Sequence, residues 1–267
     1  MSEDFIIVEG LKDLGSETTK DYTLHALCLL GKATFTYNAE QMELCPGDLL
    51  IIREQHLISE LTTTEDFKIK GLYISCNFIE RTTPDMNFGI RSVLLLTVNP
   101  VLKLNKLDQW RCKTDLENLE HRIGFTEHQF REDVLSTACL AFFLDIFNFE
   151  ANIYGENEVS NQNSNIITDF IDLLREGNYR EHRDVGFYAD RLFITPKHLS
   201  EVCRQVTGHP ANFWINHFAK IEIKRKLRYS RLSVVQIAEL FGFSSPAHFT
   251  RYVQTQLGAS PKAIREL

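Results

Sequence analysis

The last third of this chain repeats itself, and the repeat limits what that region can become. One copy runs Val185, Ala189, Ile194-Thr195, Leu199 and Gly208; the other runs Val234, Ala238, Phe243-Ser244, Phe249 and Gly258. Ala189 and Ala238 stand 49 residues apart, and the second copy has one more residue between turn and helix. Each position has a physical reason. Val and Ala four residues apart share one face of a short helix, and Ala is small enough for a second helix to cross closely over it. Ile194 or Phe243 plugs the turn into the core. Thr195 or Ser244 stands where an N-cap hydroxyl satisfies a free amide of the next helix, with Pro196 pre-set for its first turn. Leu199 or Phe249 anchors that helix, and Gly208 or Gly258 ends it. Helix, turn and capped helix together describe a helix-turn-helix, whose second helix fits a DNA major groove. Any corner between two helices needs one such set; two sets at a fixed offset are not explained by packing alone.

The segment between the copies adds a geometric test. Ala211–Tyr229 contains neither Pro nor Gly and predicts one continuous helix. At a rise of ~1.5 Å per residue it spans roughly 28 Å. Successive major grooves on one face of DNA lie ~34 Å apart, so inclination of the helix must supply the remainder. Its C-terminal half carries Lys220, Lys224, Arg225, Lys226 and Arg228, either a solvated basic face or a row of phosphate contacts.

Charge first argues against a polyanionic partner, because the whole chain of 267 residues carries a net −7. The average conceals an asymmetry. Residues 1–160 hold 14 Lys and Arg against 26 Asp and Glu, a net −12, whereas residues 161–267 hold 15 against 10, a net +5. One part is suited to phosphates and the other is not.

Residues 1 to about 105 read as strands. Thr23–Leu30, Ala33–Tyr37, Leu49–Arg53 and Phe67–Cys76 are short apolar or β-branched runs separated by turn signals such as Gly31-Lys32 and Pro46-Gly47-Asp48. Strands at that spacing suggest a small barrel or jelly roll. From Thr114 the period changes: Leu116, Leu119 and Ile123 share a helix face. From Thr126 to Tyr154, Val134, Leu135, Ala138, Phe142, Ile146 and Phe149 recur at helical steps. Gly155–Ser164 is polar and aperiodic, the best linker candidate. The expected organisation is therefore 1–154, a linker at 155–164, and 165–267.

The six cysteines (Cys28, Cys45, Cys76, Cys112, Cys139 and Cys203) form no CxxC pair, and most sit in apolar runs where a thiol acts as a small hydrophobe. The N-terminus is acidic where a signal peptide would be basic, and the longest apolar stretch, Ser136–Phe147, is short for a bilayer and contains Asp145. A soluble, cytoplasmic protein without disulfides is expected.

Residues 166–267 resemble the DNA-binding domain of the AraC/XylS transcription regulators. The matching stretches are Ala189 to Ser200 (ADRLFITPKHLS), Ile237 to Ser245 (IAELFGFSS), His248-Phe249-Thr250-Arg251, and Gly258-Ala259-Ser260-Pro261. The resemblance implies two helix-turn-helix units joined by a linker helix, double-stranded promoter DNA as partner, no catalysis and no cofactor. It also implies control of transcription, often as an activator in contact with RNA polymerase. The family's base-reading positions fall on Pro196, Lys197, Ser200 and Glu201 in the first recognition helix, with Arg204 placed for a phosphate. In the second they fall on Pro246, Ala247, Thr250 and Arg251. Arg251 leads, because a guanidinium bonds bidentately to guanine O6 and N7. Lys224 and Arg225 on the joining helix are read as phosphate contacts. Glu201 stands where relatives often carry Arg, Cys203 where they carry Phe, and Ile264 where a Tyr is common.

The strand-rich region resembles the cupin-like sensor domain of the same family, on Pro46-Gly47-Asp48-Leu49-Leu50-Ile51-Ile52 followed by His56. The expected fold class is thus α+β in two domains: a cupin-like β-barrel with following helices, then an all-α domain. The barrel is expected to bind a small-molecule effector, with His56 as the one candidate contact. A metal-binding cupin needs clustered His and Glu, whereas residues 1–105 hold only His25 and His56, far apart, so no metal is expected. The helix Thr126–Tyr154 either pairs with a second copy in a homodimer or covers its own barrel. Two other functions compete: a cupin isomerase or dioxygenase with a DNA-binding tail, and an architectural DNA-binding protein without an effector. The first lacks the metal cluster, and no GxSxG, P-loop or HExxH motif is present.

Overall fold

A computed structural model describes residues 4–38, 40–82, 89–155 and 161–266. The chain divides into two compact units, Met1–Asn157 and Glu158–Leu267.

The described residues of the N-terminal unit form eight antiparallel strands: β1 (Phe5–Val8), β2 (Tyr22–Leu30), β3 (Ala33–Tyr37), β4 (Glu40–Leu44), β5 (Asp48–Ile52), β6 (Ile58–Thr63), β7 (Lys68–Ser75) and β8 (Val101–Lys103). They form a five-stranded sheet in the order β1-β7-β2-β5-β8 and a three-stranded sheet in the order β4-β3-β6. The expected barrel is corrected on this point: among the described residues no ladder closes one sheet onto the other, and the strands form two separate sheets. Strand patterning cannot reveal this, since closure depends on pairings between residues distant in sequence.

The β5 run DLLII is buried at every position, which a strand tolerates only when both sheet faces are covered. Leu49 and Ile51 join Leu27, Leu72 and Ile74 in a core with helices α3 (Lys106–Gly124) and α4 (Arg131–Tyr154), through Leu116, Leu135, Phe142, Ile146 and Phe149. Before β5, Gly47 takes a φ of +91°, and a Cβ there would collide with the Gln109 side chain. The Asp48 carboxylate then receives the Cys45 amide at 2.7 Å and the Lys103 ammonium at 2.6 Å, holding β5 and β8 together at their ends.

Two helices interrupt the region read as strands throughout: α1 (Cys76–Thr82) and α2 (Gly89–Val98). The Ser75 hydroxyl accepts the Phe78 amide at 3.1 Å and turns the chain from β7 into α1. Short apolar runs such as VLLLTV carry no period that separates helix from strand. By length and composition alone α4 could cross a membrane. Its buried Leu135, Cys139, Phe142, Phe143, Ile146 and Phe149 instead make it the main core helix of its unit. All six cysteines are free.

Among its described residues the C-terminal unit holds helices and no strand: α5 (Asn161–Arg175), α6 (Val185–Arg191), α7 (Pro196–Thr207), α8 (Ala211–Tyr229), α9 (Val234–Leu240), α10 (Pro246–Leu257) and α11 (Pro261–Glu266). Residues 156–160 of the expected linker lie outside the described residues, and α5 already begins at Asn161. Ile167, Phe170, Ile171 and Leu174 of α5 are buried at helical spacing, within the part expected to be helical; only the start of α5 intrudes on the expected linker.

Candidate nucleic-acid interface

The repeat becomes two pairs of short helices, α6–α7 and α9–α10. Asp184 caps α6 by accepting the Phe187 amide at 2.9 Å, and Thr195 caps α7 by accepting the His198 amide at 3.2 Å. Ser233 and Gln236 form a reciprocal capping box at the start of α9. At α10 the cap is corrected by one position. Ser245, not Ser244, accepts the His248 amide at 3.2 Å, because the extra residue of the second copy moves the helix start on by one. Both second helices end on glycines in the left-handed region, Gly208 at φ +79° and Gly258 at φ +72°. The turns agree as well: Phe193 in the first has φ +56° and Gly242 in the second +61°. Glycine adopts that conformation without a Cβ penalty and Phe193 does not; its side chain lies 95% exposed.

Burial sorts each second helix into an inner and an outer face. In α7 Leu199, Val202, Cys203 and Val206 are buried, while Lys197, His198, Glu201, Arg204 and Gln205 are exposed and Ser200 is half-buried. In α10 Phe249, Val253 and Leu257 are buried, while Ala247, His248, Arg251 and Gln254 are exposed and Thr250 is half-buried. His198, Gln205, His248 and Gln254 therefore share the outward faces with the residues chosen from sequence. Lys197 lies 3.8 Å from Glu201 one turn on, an exposed pair weak enough to be displaced by a phosphate or a base. Cys203 is fully buried in its unit's core despite being smaller than the expected Phe.

The joining helix α8 has the bounds expected from sequence, and its charges are not equivalent. Arg225 is exposed, whereas Lys224 is only 8% exposed, and burial together with the neighbouring Arg228 charge lowers its ammonium to a pKa of about 8. Lys224 is therefore corrected from a surface phosphate contact to a core-side residue of α8. Its i, i+3 relation to the fully buried Leu227 places it toward the inner face.

A brace that sequence reasoning missed holds the units of the repeat around α8. A short turn at Asn178–Arg180 sets the Glu222 carboxylate of α8 against the Tyr179 hydroxyl at 2.8 Å and against Arg180 Nε and Nη2 at 2.8 and 2.7 Å. Burial works to raise the Glu222 carboxyl. The hydrogen bonds from Arg180 and Tyr179, with the charges of Arg180 and Arg225, outweigh it and hold the group below its ordinary range. Three residues on, the Arg183 guanidinium lies 4.1 Å over the Phe243 ring and donates to the Phe241 carbonyl, so one segment grips both α8 and the second turn. An isolated glutamate in a basic helix carries no signal of this; its partners lie 43 and 42 residues away.

In the N-terminal unit His56 is buried and its Nδ1 lies 3.5 Å from a Glu54 carboxylate oxygen. A cavity in the same unit is lined instead by His25, with Thr23, Tyr37, Ile51 and Phe143 among its walls. His56, the expected effector contact, is not among the residues that line this cavity. Among the described residues no cluster of three or more His, Cys, Asp or Glu is placed to hold a metal ion.

The helix-turn-helix domain family matches residues 188–267. Among curated proteins, the transcriptional activator RhaS of Pectobacterium carotovorum is 30% identical over 90 residues, 34% of this chain and 32% of that protein. RhaS of Pectobacterium atrosepticum is 22% identical over 243 residues, 88% of this chain and 82% of that protein. The activator AarP of Providencia stuartii is 28% identical over 102 residues, 38% of this chain and 75% of that protein. The chain thus spans about a third of the first of these relatives and most of the other two. Among solved structures, ToxT of Vibrio cholerae is similar with a TM-score of 0.48 at 14% identity, over 99% of this chain and 94% of that one. Residues 188–267 thus carry a helix-turn-helix domain, and the chain is similar to transcriptional activators over most of its length, with an N-terminal domain followed by a C-terminal unit of two helix-turn-helix pairs.

Proposed function

We propose that the protein controls transcription by setting α7 and α10 into successive major grooves of promoter DNA, with α8 as the spacer. The observation that carries this is the duplicated pair of capped helices, each with a polar outward face, in a unit of net positive charge. Lys197, Ser200, Glu201, Ala247, Thr250 and Arg251 are assigned to base edges, and Arg204 and Arg225 to phosphates. The named relatives are activators, which supports contact with RNA polymerase. The protein acts in the cytoplasm, without catalysis or cofactor, and its N-terminal unit binds a small-molecule effector in the cavity beside His25. We assign it to a homodimer; Leu144 on α4 and Leu107 and Trp110 on α3 are exposed apolar residues available for self-association.

Footprinting of the neighbouring promoter tests the DNA reading. Arg251→Ala is expected to cost about 1–3 kcal/mol of operator affinity and to relax preference at one base position. Unchanged operator binding by that variant refutes the placement of α10. Sedimentation at micromolar concentration tests the dimer, and a monomeric profile rejects it.

A further inference from the structure

The two turns of the repeat are built alike and covered differently. In the first, the Phe193 amide donates to the Asp190 carbonyl at 3.2 Å and the Ile194 amide to the Ala189 carbonyl at 3.0 Å. In the second, Gly242 and Phe243 make the same bonds to Glu239 and Ala238, both at 2.9 Å. A helix end closed in this way sets its corner residue in the left-handed region, which glycine enters without a Cβ penalty. Gly242 meets the demand freely at φ +61°, whereas Phe193 meets it at φ +56° with a bulky side chain. The second turn is held from outside. The Arg183 guanidinium lies 4.1 Å over the Phe243 ring and donates to the Phe241 carbonyl, and a Cβ on Gly242 would stand 3.4 Å from the Arg180 carbonyl. Nothing comparable covers the first turn, where Phe193 is 95% exposed. One turn of chain before it, Asp190 is exposed as well. Among the described residues it joins none of this unit's ion pairs, which are Arg175–Asp172, Arg180–Glu222, Lys197–Glu201, Arg225–Glu222 and Lys262–Glu266. The adjacent Arg191 guanidinium lies over the Phe187 ring, 4.6 Å from its centroid. A strained, exposed ring thus adjoins an unpaired carboxylate at a corner that the second copy builds with glycine, and backbone strain of this kind clusters at sites of use.

We infer that Asp190 and Phe193 form a docking site for an arginine side chain of RNA polymerase. A guanidinium pairs with a carboxylate and stacks on an aromatic face, so one arginine satisfies both groups. The second turn is this chain's own precedent, since Arg183 there lies over a turn phenylalanine and bonds a turn carbonyl. Charge sets other occupants aside. A DNA backbone would meet the Asp190 carboxylate with like charge, and an apolar protein surface would desolvate that carboxylate without pairing it. A second copy of this chain cannot offer Arg183, which its own second turn already holds.

This inference rests on the polymerase contact in the proposed function and names the surface that makes it. The test is transcription in vitro from the footprinted promoter, with the purified full chain and RNA polymerase holoenzyme of the same organism. Operator affinity and the thermal unfolding midpoint are measured on the same preparations. Phe193→Gly, Phe193→Leu and Asp190→Asn are each expected to lower activation about three- to tenfold, and Phe193→Tyr to retain it. Operator affinity should stay within about twofold throughout. Phe193→Gly also relieves the left-handed strain, so its midpoint should hold or rise, whereas loss of a merely structural residue would lower it. Native-like activation by Phe193→Gly overturns the inference. So does activation by Phe193→Leu equal to native, which would mark an apolar contact without a cation. Operator affinity that falls in step with activation overturns it in favour of a DNA contact. Absence of a footprint with the native chain refutes the DNA reading, and a native chain that binds without activating refutes the polymerase contact and this inference together. Native binding and activation that none of the variants alters refute this inference alone.

Discussion

Neutralising Glu222 tests whether the brace around α8 stabilises the C-terminal unit. The carboxylate is 3% exposed and accepts three hydrogen bonds of 2.7–2.8 Å from Arg180 and Tyr179, with Arg225 at 3.8 Å. In Glu222→Gln one oxygen remains to accept, but the new amide turns N–H groups toward a guanidinium that also donates. Charge-assisted hydrogen bonds contribute about 1.5–3 kcal/mol each, and breaking a buried pair on one side costs about 3–5 kcal/mol. The Arg180 side chain is 37% exposed, so water recovers part of the loss. The expected cost is about 2–3 kcal/mol. Urea titration followed by tryptophan emission suits the measurement, because Trp214 is buried in α8 whereas Trp110, in the other unit, is 64% exposed. The spectral shift on unfolding then comes mainly from the unit carrying the brace. A carboxyl held below its ordinary value contributes stability above that value, and loses the contribution as pH falls through the folded one. The gap between native protein and variant should therefore be full at pH 7 and close in acid. A double-mutant cycle with Arg180→Met separates the pair from its parts, with an expected coupling of at least about 1 kcal/mol. A cost under about 0.5 kcal/mol, or strict additivity in the cycle, refutes the brace.

Two further perturbations follow from buried charge. Lys224→Met should raise the unfolding midpoint at pH 7, by about 1–2 kcal/mol, since the folded state disfavours the ammonium. The advantage should shrink as pH rises from about 8 to 10.5, where the native lysine sheds its proton first. In salt titrations of DNA binding Lys224→Met should leave the slope unchanged, whereas Arg225→Ala should reduce it by about one; equal slopes for the two variants contradict the assignment of faces on α8. On α3, burial and then the nearby Asp145 raise the Asp115 carboxyl to a pKa of about 6. An acid raised on folding destabilises once ionised, so stability falls as pH climbs from about 4 to 6. Asp115→Asn should remove that fall and stabilise by about 1–2 kcal/mol at pH 7. Parallel pH profiles for variant and native protein refute it.

The order of these elements reflects how far each signal reaches along the chain. The two helix-turn-helix units, the span Ala211–Tyr229 and the glycine ends at 208 and 258 were legible in the sequence alone, because caps, helical period and breakers act within a few residues. Even the single miss there, Ser245 for Ser244, is a shift of one residue. What tertiary structure decided is of another kind. Whether Lys224 faces water or core depends on the packing of α8, not on its basic neighbours. The Glu222 brace joins groups some forty residues apart, and the packing of Phe142 and Phe143 of α4 against His25 of β2 joins residues more than a hundred apart. The same limit explains the barrel that proved to be two sheets. Alternation shows that a strand has a buried face, while the partner that covers it is chosen by contacts the local sequence does not encode.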